Sequence, residues 1–258
     1  MSNAGGAVVR TASVRVRSRW DDCDQCGHVN NAAYLALVRA AHDRAGMPQG
    51  ELRALEITYR QPVPAEVMVD VDVNVLERAA SHQRIAYALR VDGRPSADVT
   101  ALWQLSVPTP RVDLPPVARD PGSLPFRFHQ TVRSYELGSN GTARPQAILQ
   151  WLEHAVFRAA TRAGWPRERM EAAGFLTYVI GHHLVLGEPA GEGEELLVSS
   201  RLVELRRVSG TWHHEIRRSD GALVAADRAR GAFLDLEGGI RTAPEALPDD
   251  LLRGEPPA

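Results

Sequence analysis

The residues that could do chemistry are concentrated between Trp20 and Tyr34. This segment holds three aspartates, two cysteines and a histidine, in the order Trp-Asp-Asp-Cys-Asp-Gln-Cys-Gly-His-Val-Asn-Asn-Ala-Ala-Tyr. A helical pattern follows it. A carboxylate just before a helix lies beside free N–H groups and the positive end of the helix dipole. Such N–H groups stabilise a developing oxyanion, and the carboxylate can attack a carbonyl or activate a water, so the segment predicts acyl transfer.

The cysteines Cys23 and Cys26 form a lone C-x-x-C pair. A zinc site needs two further ligands at a second matching spacing, and a redox dithiol normally opens a helix in a thioredoxin-like pattern. Neither pattern is present, so we interpret the pair as structural. Cys26 as a nucleophile has only its location in favour, and a cytoplasmic location is expected.

Composition excludes two classes of partner. Every one of the 30 basic residues is Arg, and the net charge is -2. Because these Arg residues are scattered among Asp and Glu, no nucleic-acid surface is predicted. The apolar stretches are far shorter than the roughly 20 residues of a membrane span, so no membrane partner is expected.

The pattern from Val14 to Val107 predicts one folding unit. A short alternating strand precedes the motif, and a helix is predicted from about Asn30 to Ala45, ended by Gly46. Strand patterns follow, of which 67–75 alternates most regularly between valine and polar residues. Asp92-Gly93 marks a hairpin turn.

The same order of elements returns after a proline-rich connector. A strand at 128–135, a polar loop with Gly141 and a helix at about 145–163 precede further strands, with Asp220-Gly221 as the matching turn. We therefore predict an α+β double hotdog, two tandem units that each wrap a long central helix in a curved antiparallel sheet. The predicted bounds are a first hotdog at 8–107, a connector at 108–125, a second hotdog at 126–240 and a tail at 241–258.

The motif resembles the signature of 4-hydroxybenzoyl-CoA thioesterase-like hotdog proteins, an aromatic-x-D-x-D-x-x-G-x-V segment that runs into the central helix. It is also similar to the H-V-N-N segment of acyl-ACP thioesterases. The resemblance implies thioester hydrolysis with Asp24 as nucleophile or general base and His28 orienting water or carbonyl, without a cofactor or metal. The residues expected to bind substrate, shape the site or stabilise the oxyanion are Gly27, Val29, Asn30, Asn31 and Tyr34.

Two positions depart from the acyl-ACP thioesterase pattern. The Asn that this family carries two residues after the catalytic Asp is Cys26 here, and its additional Glu falls on or near Pro62. An Asp-centred arrangement therefore fits better than the full acyl-ACP set. Asp22 is expected to tie down the loop.

The second copy of the motif has lost its carboxylate. Arg133-Ser134-Tyr135-Glu136-Leu137-Gly138 aligns without gaps on the first copy and resembles the non-catalytic hotdog of acyl-ACP thioesterases. Gly138 falls on Asp24, and Thr142 falls on His28. One active site per chain is expected, in the first hotdog at its junction with the second.

Glu153 is the other carboxylate of interest, because a different hotdog thioesterase branch carries its catalytic acid within the central helix. The favoured interpretation is a buried Glu bonded to loop amides, and pairing with Arg39, its counterpart in the first helix, is the alternative. The doublets His182-His183 and His213-His214 offer one inward-facing His each, because strand neighbours point to opposite faces. Metal binding is therefore not expected.

Three functions remain open at this point. The first is a thioesterase acting on acyl-CoA or acyl carrier protein thioesters. The others are an enoyl-thioester hydratase or dehydratase, and a non-catalytic acyl-thioester binding protein. Pairing of double hotdogs into a homodimer is also left open.

Overall fold

A computed structural model describes residues 9–24, 27–107, 111–117 and 122–253, with the side chains from residue 12 onward. The chain divides into two compact units, Met1–Val112 and Asp113–Ala258. The division lies in the proline-rich connector, whose described residues form no helix or strand. No helix among the described residues is long and apolar enough to cross a membrane.

Unit 1 contains one long helix and one antiparallel sheet. Its elements are β1 (Val9–Arg17), α1 (Tyr34–Arg44), β2 (Glu51–Tyr59), β3 (Met68–Arg78), β4 (His82–Val91) and β5 (Arg94–Gln104). The strands pair in the order β1-β3-β4-β5-β2. Val69, Val71 and Val73 of β3 are fully buried, so the regular alternation in the sequence marks the inner face as predicted.

Unit 2 repeats this architecture and adds two short helices. Its elements are β6 (Phe126–Thr131), α2 (Pro145–Arg162), α3 (Arg167–Ala172), β7 (Leu176–Leu186), β8 (Glu195–Arg206), β9 (Ser209–Arg218), β10 (Leu223–Leu234) and α4 (Ala246–Arg253). The strands pair in the order β6-β8-β9-β10-β7, which is the order of unit 1.

Both long helices end in the same way. Gly46 and Gly164 have φ angles of 65° and 84°, and the next N–H bonds back to His42 and Ala160. This is the glycine-dependent C-terminal turn that the sequence predicts. The beginning of α1 differs from the prediction: Asn31–Ala33 form a 3₁₀ turn, and the α-helix starts at Tyr34.

Helices α3 and α4 were not predicted. The stretch expected to be a tail contains α4, which buries Leu247 and Leu251 against the rest of unit 2. These two leucines lie one helical turn apart, and a single turn is too short to give a periodic signal in the sequence.

Candidate active site

Asp24 lies on a tight turn between the 3₁₀ turn Trp20–Asp22 and the start of α1. The Asp24 N–H donates to the carbonyl oxygen of His28 at 2.8 Å, and the Gly27 N–H donates to the carbonyl oxygen of Asp24 at 3.0 Å. Gly27 has a φ of 75°, which only glycine adopts easily. Cys23 and Val29 form a bridge at the base of the turn. The backbone thus holds Asp24 at a turn with an exposed side chain.

The Asp24 carboxylate faces the amide of His28. The His28 N–H donates to Asp24 Oδ1 at 3.3 Å, a long hydrogen bond, and the Asp24 side chain is exposed. The His28 side chain is half-buried, four residues along the same turn. The structure therefore brings the two predicted catalytic residues together on one short loop.

The connection between β2 and β3 supports this loop from behind. Val29 donates its N–H to the carbonyl oxygen of Val63 at 2.8 Å, and His28 forms a bridge with Pro64. The Tyr34 hydroxyl accepts the Val63 N–H at 3.2 Å and donates to the Gln61 carbonyl at 3.4 Å. Burial raises the pKa of Tyr34 to about 12, so this hydroxyl remains protonated and can make both bonds.

The roles expected for Gly27 and Val29 change. Their N–H groups were predicted to face an oxyanion, yet they donate to the carbonyl oxygens of Asp24 and Val63. The reason is that the loop pairs with the β2–β3 connection like a short strand and uses its amides for that pairing.

Asn30, Asn31 and Tyr34 hold the start of the helix. Asn30 Oδ1 accepts the Ala32 N–H at 3.0 Å, as a capping residue does. The carbonyl oxygen of Asn31 accepts the Tyr59 hydroxyl at 3.0 Å, and the Tyr59 ring packs edge-on against the buried Tyr34 ring. These residues position the loop, and Tyr34 faces the core.

Asp22 and Cys23 also have structural partners. Asp22 forms an ion pair with Arg19 at 3.0 Å, which raises the pKa of the guanidinium, and its carbonyl oxygen accepts the Asn30 N–H. The Cys23 thiol donates to the Arg19 carbonyl at 3.3 Å. Burial and the neighbouring carboxylates of Asp22 and Asp24 raise the pKa of this thiol. Cys26 lies outside the described residues.

Unit 2 builds the same turn without the acid. Gly138 donates its N–H to the Thr142 carbonyl at 2.7 Å, and Gly141 donates to the Gly138 carbonyl at 3.0 Å, with a φ of 75° at Gly141. The Thr142 N–H is bonded by the Asn140 side chain at 3.2 Å, where unit 1 uses the Asp24 carboxylate. The turn can therefore form without a carboxylate at its first position.

The core of unit 2 contains a polar cluster that the sequence does not predict. His182 Nδ1 lies 2.9 Å from Asp227 Oδ2, and His182 Nε2 lies 3.5 Å from Glu153 Oε1. Glu153 thus contacts His182 rather than loop amides. Arg39, the alternative partner, pairs with Asp43 in its own unit. A lone Asp in the apolar run Ala225-Ala226-Asp227 was the sequence signal.

The charges in this cluster follow from burial and pairing. Burial opposes protonation of His182, but Asp227 and then Glu153 outweigh it and raise the pKa of His182 to about 10. His214 lies in the same core, with Nδ1 at 2.7 Å from the Ser200 hydroxyl, and burial lowers its pKa to about 4. His182 is therefore an imidazolium at neutral pH, whereas His214 is neutral.

The histidine doublets each direct one ring inward. His182 and His214 are 1% and 0% exposed, while His183 and His213 lie on the other face of the sheet. Within the part of the chain that the structure describes, no three His, Cys, Asp or Glu side chains are grouped to hold a metal ion.

Two family models match the chain. The acyl-ACP thioesterase C-terminal domain matches residues 7–105, which include the Asp24 turn. The thioesterase-like superfamily matches residues 132–254, which include the polar cluster. A sequence comparison with curated proteins finds no match.

Solved structures share the fold over most of the chain. A protein described as an oleoyl thioesterase from Lactobacillus plantarum aligns with a TM-score of 0.67, covering 94% of this chain and 99% of its own at 13% identity. A 12:0-ACP thioesterase from Umbellularia californica gives 0.62, with 86% and 94% coverage at 10% identity. An acyl-ACP thioesterase from Bacteroides thetaiotaomicron gives 0.60, with 86% and 97% coverage at 12% identity.

At these identities the likeness to solved structures concerns the fold, and it confirms the predicted double hotdog. The two family models place both halves among thioesterase domains. Each half of the chain is therefore similar to a thioesterase domain, and the fold is two hotdog domains in tandem.

Proposed function

We propose that this protein hydrolyses an acyl thioester to the free acid and the thiol, with Asp24 as the catalytic carboxylate. The observation that carries the proposal is the exposed Asp24 side chain on a turn that unit 2 forms equally well with Gly138. Unit 2 uses the Asn140 amide oxygen in place of the Asp24 carboxylate, so the fold accepts a neutral acceptor here and does not demand an acid. The match of the acyl-ACP thioesterase model over this segment supports the same assignment.

Two routes use the same carboxylate. As a nucleophile, Asp24 attacks the thioester carbonyl and expels the thiolate, and water then hydrolyses the mixed anhydride. As a general base, it takes a proton from water, which attacks the carbonyl while the thiolate leaves. His28, on the same turn, orients the water or the carbonyl.

The substrate is an acyl-CoA or an acyl carrier protein thioester. The structural neighbours from Bacteroides and Umbellularia are described as acyl-ACP thioesterases, which favours the carrier protein as the first thiol carrier to examine. Both carriers present phosphate, which arginine side chains bind well.

Replacing the carboxylate by its amide tests the proposal. Asp24→Asn keeps an oxygen for the His28 N–H but cannot act as base or nucleophile, so kcat should fall by about 10²–10⁴-fold. Thiol release from acyl-CoA and acyl-ACP panels is the measurement, and Asp21→Asn, an exposed acid of the same segment, is the matched control.

Near wild-type thiol release by Asp24→Asn overturns the assignment of Asp24. Reversible hydration of an enoyl thioester by the wild-type protein, or tight binding of the whole panel without turnover, overturns the hydrolase in favour of one of the other two functions.

A further inference from the structure

The inner faces of the two sheets differ along one row of side chains. In each unit an Asp-Gly hairpin joins two neighbouring strands, β4 and β5 in unit 1 and β9 and β10 in unit 2. When the residue pairs are counted from each hairpin, the buried pair Leu89 and Ala97 corresponds to Ile216 and Ala225. The neighbouring strands keep the same register. The following unit 1 and unit 2 positions then correspond: Val73 and Ser200, Tyr87 and His214, Val99 and Asp227, Leu55 and His182.

Unit 2 thus carries polar groups where unit 1 is largely apolar. Its row of Ser200, His214, Asp227 and His182 is between 0% and 1% exposed. Removing a charged group from water costs several kcal/mol, and ion pairing does not reliably recover it. Unit 1 closes the same sheet with valine, tyrosine and leucine at these positions, so folding does not require the charged members of the row.

The row presents hydrogen-bonding atoms that the protein itself does not satisfy. Among the described residues, Asp227 Oδ1 and His214 Nε2 are buried and have no hydrogen-bond partner, and Glu153 Oε1 has only its long 3.5 Å contact with His182 Nε2. The Ser200 Oγ–His214 Nδ1 hydrogen bond is 2.7 Å long, and the tautomer in which Ser200 donates carries the ring proton on Nε2. In that tautomer the cluster presents carboxylate acceptors and one N–H donor, which a single hydroxyl group matches because it both donates and accepts.

An apolar pocket adjoins this row. It lies between α2, α3, α4 and the sheet. Phe157 and Tyr178 line it and are 55% and 47% exposed, so they mark its opening. The deeper lining is apolar and includes Leu202, Trp212, Ala229, Leu247 and Leu251.

A glycine pair clears the space for this pocket. Gly210 and Gly231 lie opposite each other on β9 and β10 and line the pocket, whereas the corresponding pair of unit 1 is Gln83 and Trp103, both buried. Neither glycine has a positive φ, so the backbone does not demand glycine there. Glycine inside a strand often marks close approach of a ligand.

The pocket and the polar row are adjacent in three elements. Trp212 of the pocket stacks on His214, with ring centroids 6.3 Å apart. Ala229 of the pocket pairs directly with His182 across β10 and β7. Val156 of the pocket follows Glu153 by one turn of α2. Trp212 and Ala229 thus lie between the glycine pair and the polar row, and the row begins one inward-facing pair beyond the pocket lining.

We propose that unit 2 binds an apolar chain bearing a hydroxyl group, with the chain in the Gly210–Gly231 pocket and the hydroxyl on Asp227, Glu153 and His214. That this chain is the acyl group of the hydrolysed thioester rests on the proposed function. The binding of the hydroxylated chain does not, because it involves neither Asp24 nor turnover.

Calorimetric titration of the full chain with free fatty acids tests this binding. The probes are octanoic, dodecanoic and hexadecanoic acids and their positional monohydroxy isomers. At least one hydroxy isomer should bind about tenfold or more tightly than the plain acid of the same length. A triple variant with an apolar row, His182→Leu, Asp227→Val and Glu153→Met, should bind both equally.

A second variant tests the contribution of the pocket to binding independently of the polar row. Gly231→Leu fills the pocket and should abolish binding of both acids, while Ala232→Leu, on the opposite face of the same strand, should leave binding unchanged. The proposal is overturned if wild-type protein binds no acid of the panel, binds hydroxy and plain acids equally, or if the triple variant keeps the preference. Because Asp24→Asn should bind the acids like wild type, failure here is distinct from failure of the hydrolase assignment.

Discussion

The two units share one backbone and differ in where they place polar side chains. In unit 1 a carboxylate stands exposed at the Asp24 turn, and most of the inner sheet row is apolar. In unit 2 the same turn has Gly138, and the carboxylates are buried in the core as Asp227 and Glu153. The two copies of the fold have therefore specialised at different places, one at a surface loop and the other inside the sheet.

The largest effect on activity is expected when unit 1 is given the turn residues of unit 2. Asp24→Gly with His28→Thr keeps the backbone bonds of the turn, so the free energy of unfolding should change by about 1 kcal/mol at most. Thioester hydrolysis should fall about 10³-fold, since both side chains to which we assign the chemistry are removed. Steady-state kinetics and denaturant unfolding measure the two effects.

The control for that exchange lies in the second turn. Thr142→Ala changes the position equivalent to His28 and should leave hydrolysis unchanged. A loss of activity there comparable to the loss in unit 1 would contradict a single active site per chain.

Replacing Asp227, in the core of unit 2, by the valine that unit 1 has at this position should lower stability. Asp227→Val alone leaves His182 without its main counter-charge and should lower the free energy of unfolding by about 3–5 kcal/mol. Adding His182→Leu removes that charge as well, and most of the loss should be recovered. A double-mutant cycle by urea denaturation measures the coupling, and additive effects would show that the pair does not act as a unit.

The hotdog order, the two long helices and the Asp24 turn were accessible from sequence because each leaves a local signal. The alternation along β3 indicates a strand with one buried face, and the glycines after both helices mark where the helices end. The gapless comparison of the two motifs indicates the same turn in both units. The polar row was not accessible, because Ser200, His214, Asp227 and His182 come together only through the register of four strands. The use of the Val29 amide was hidden for the same reason, since its acceptor, Val63, lies on a distant connection.

The polar row should also make stability depend on pH in two directions. The pKa of His182 is raised to about 10 from an unfolded value of about 6.5, so its contribution is complete below pH 6.5 and is lost as pH rises through 10. The pKa of His214 is lowered to about 4, so stability also falls as pH drops from 6.5 through 4.

The double variant His182→Leu with Asp227→Val distinguishes the alkaline decline of stability from the acid decline. Unfolding free energies measured across the pH range should lose the alkaline decline of the wild type, because His182 is gone. The acid decline should remain, because His214 is retained. If the variant keeps the alkaline decline unchanged, that decline comes from groups other than His182.

Tyr34 offers the smallest and most local test of how unit 1 supports its turn. The corresponding residue of unit 2, Ile148, has no hydroxyl, so the described part of unit 2 has no counterpart of the bonds that Tyr34 makes to Gln61 and Val63 beside the Asp24 turn. Tyr34→Phe leaves the buried Val63 N–H without its acceptor and should cost about 1–2 kcal/mol of stability. Because Val63 also accepts the Val29 N–H, a displaced connection would shift the turn and lower kcat a few-fold, with little change in KM. Ile148→Val, the matched change in unit 2, should leave kcat unaltered, and equal effects of both variants on kcat would show that Tyr34 acts through general stability alone.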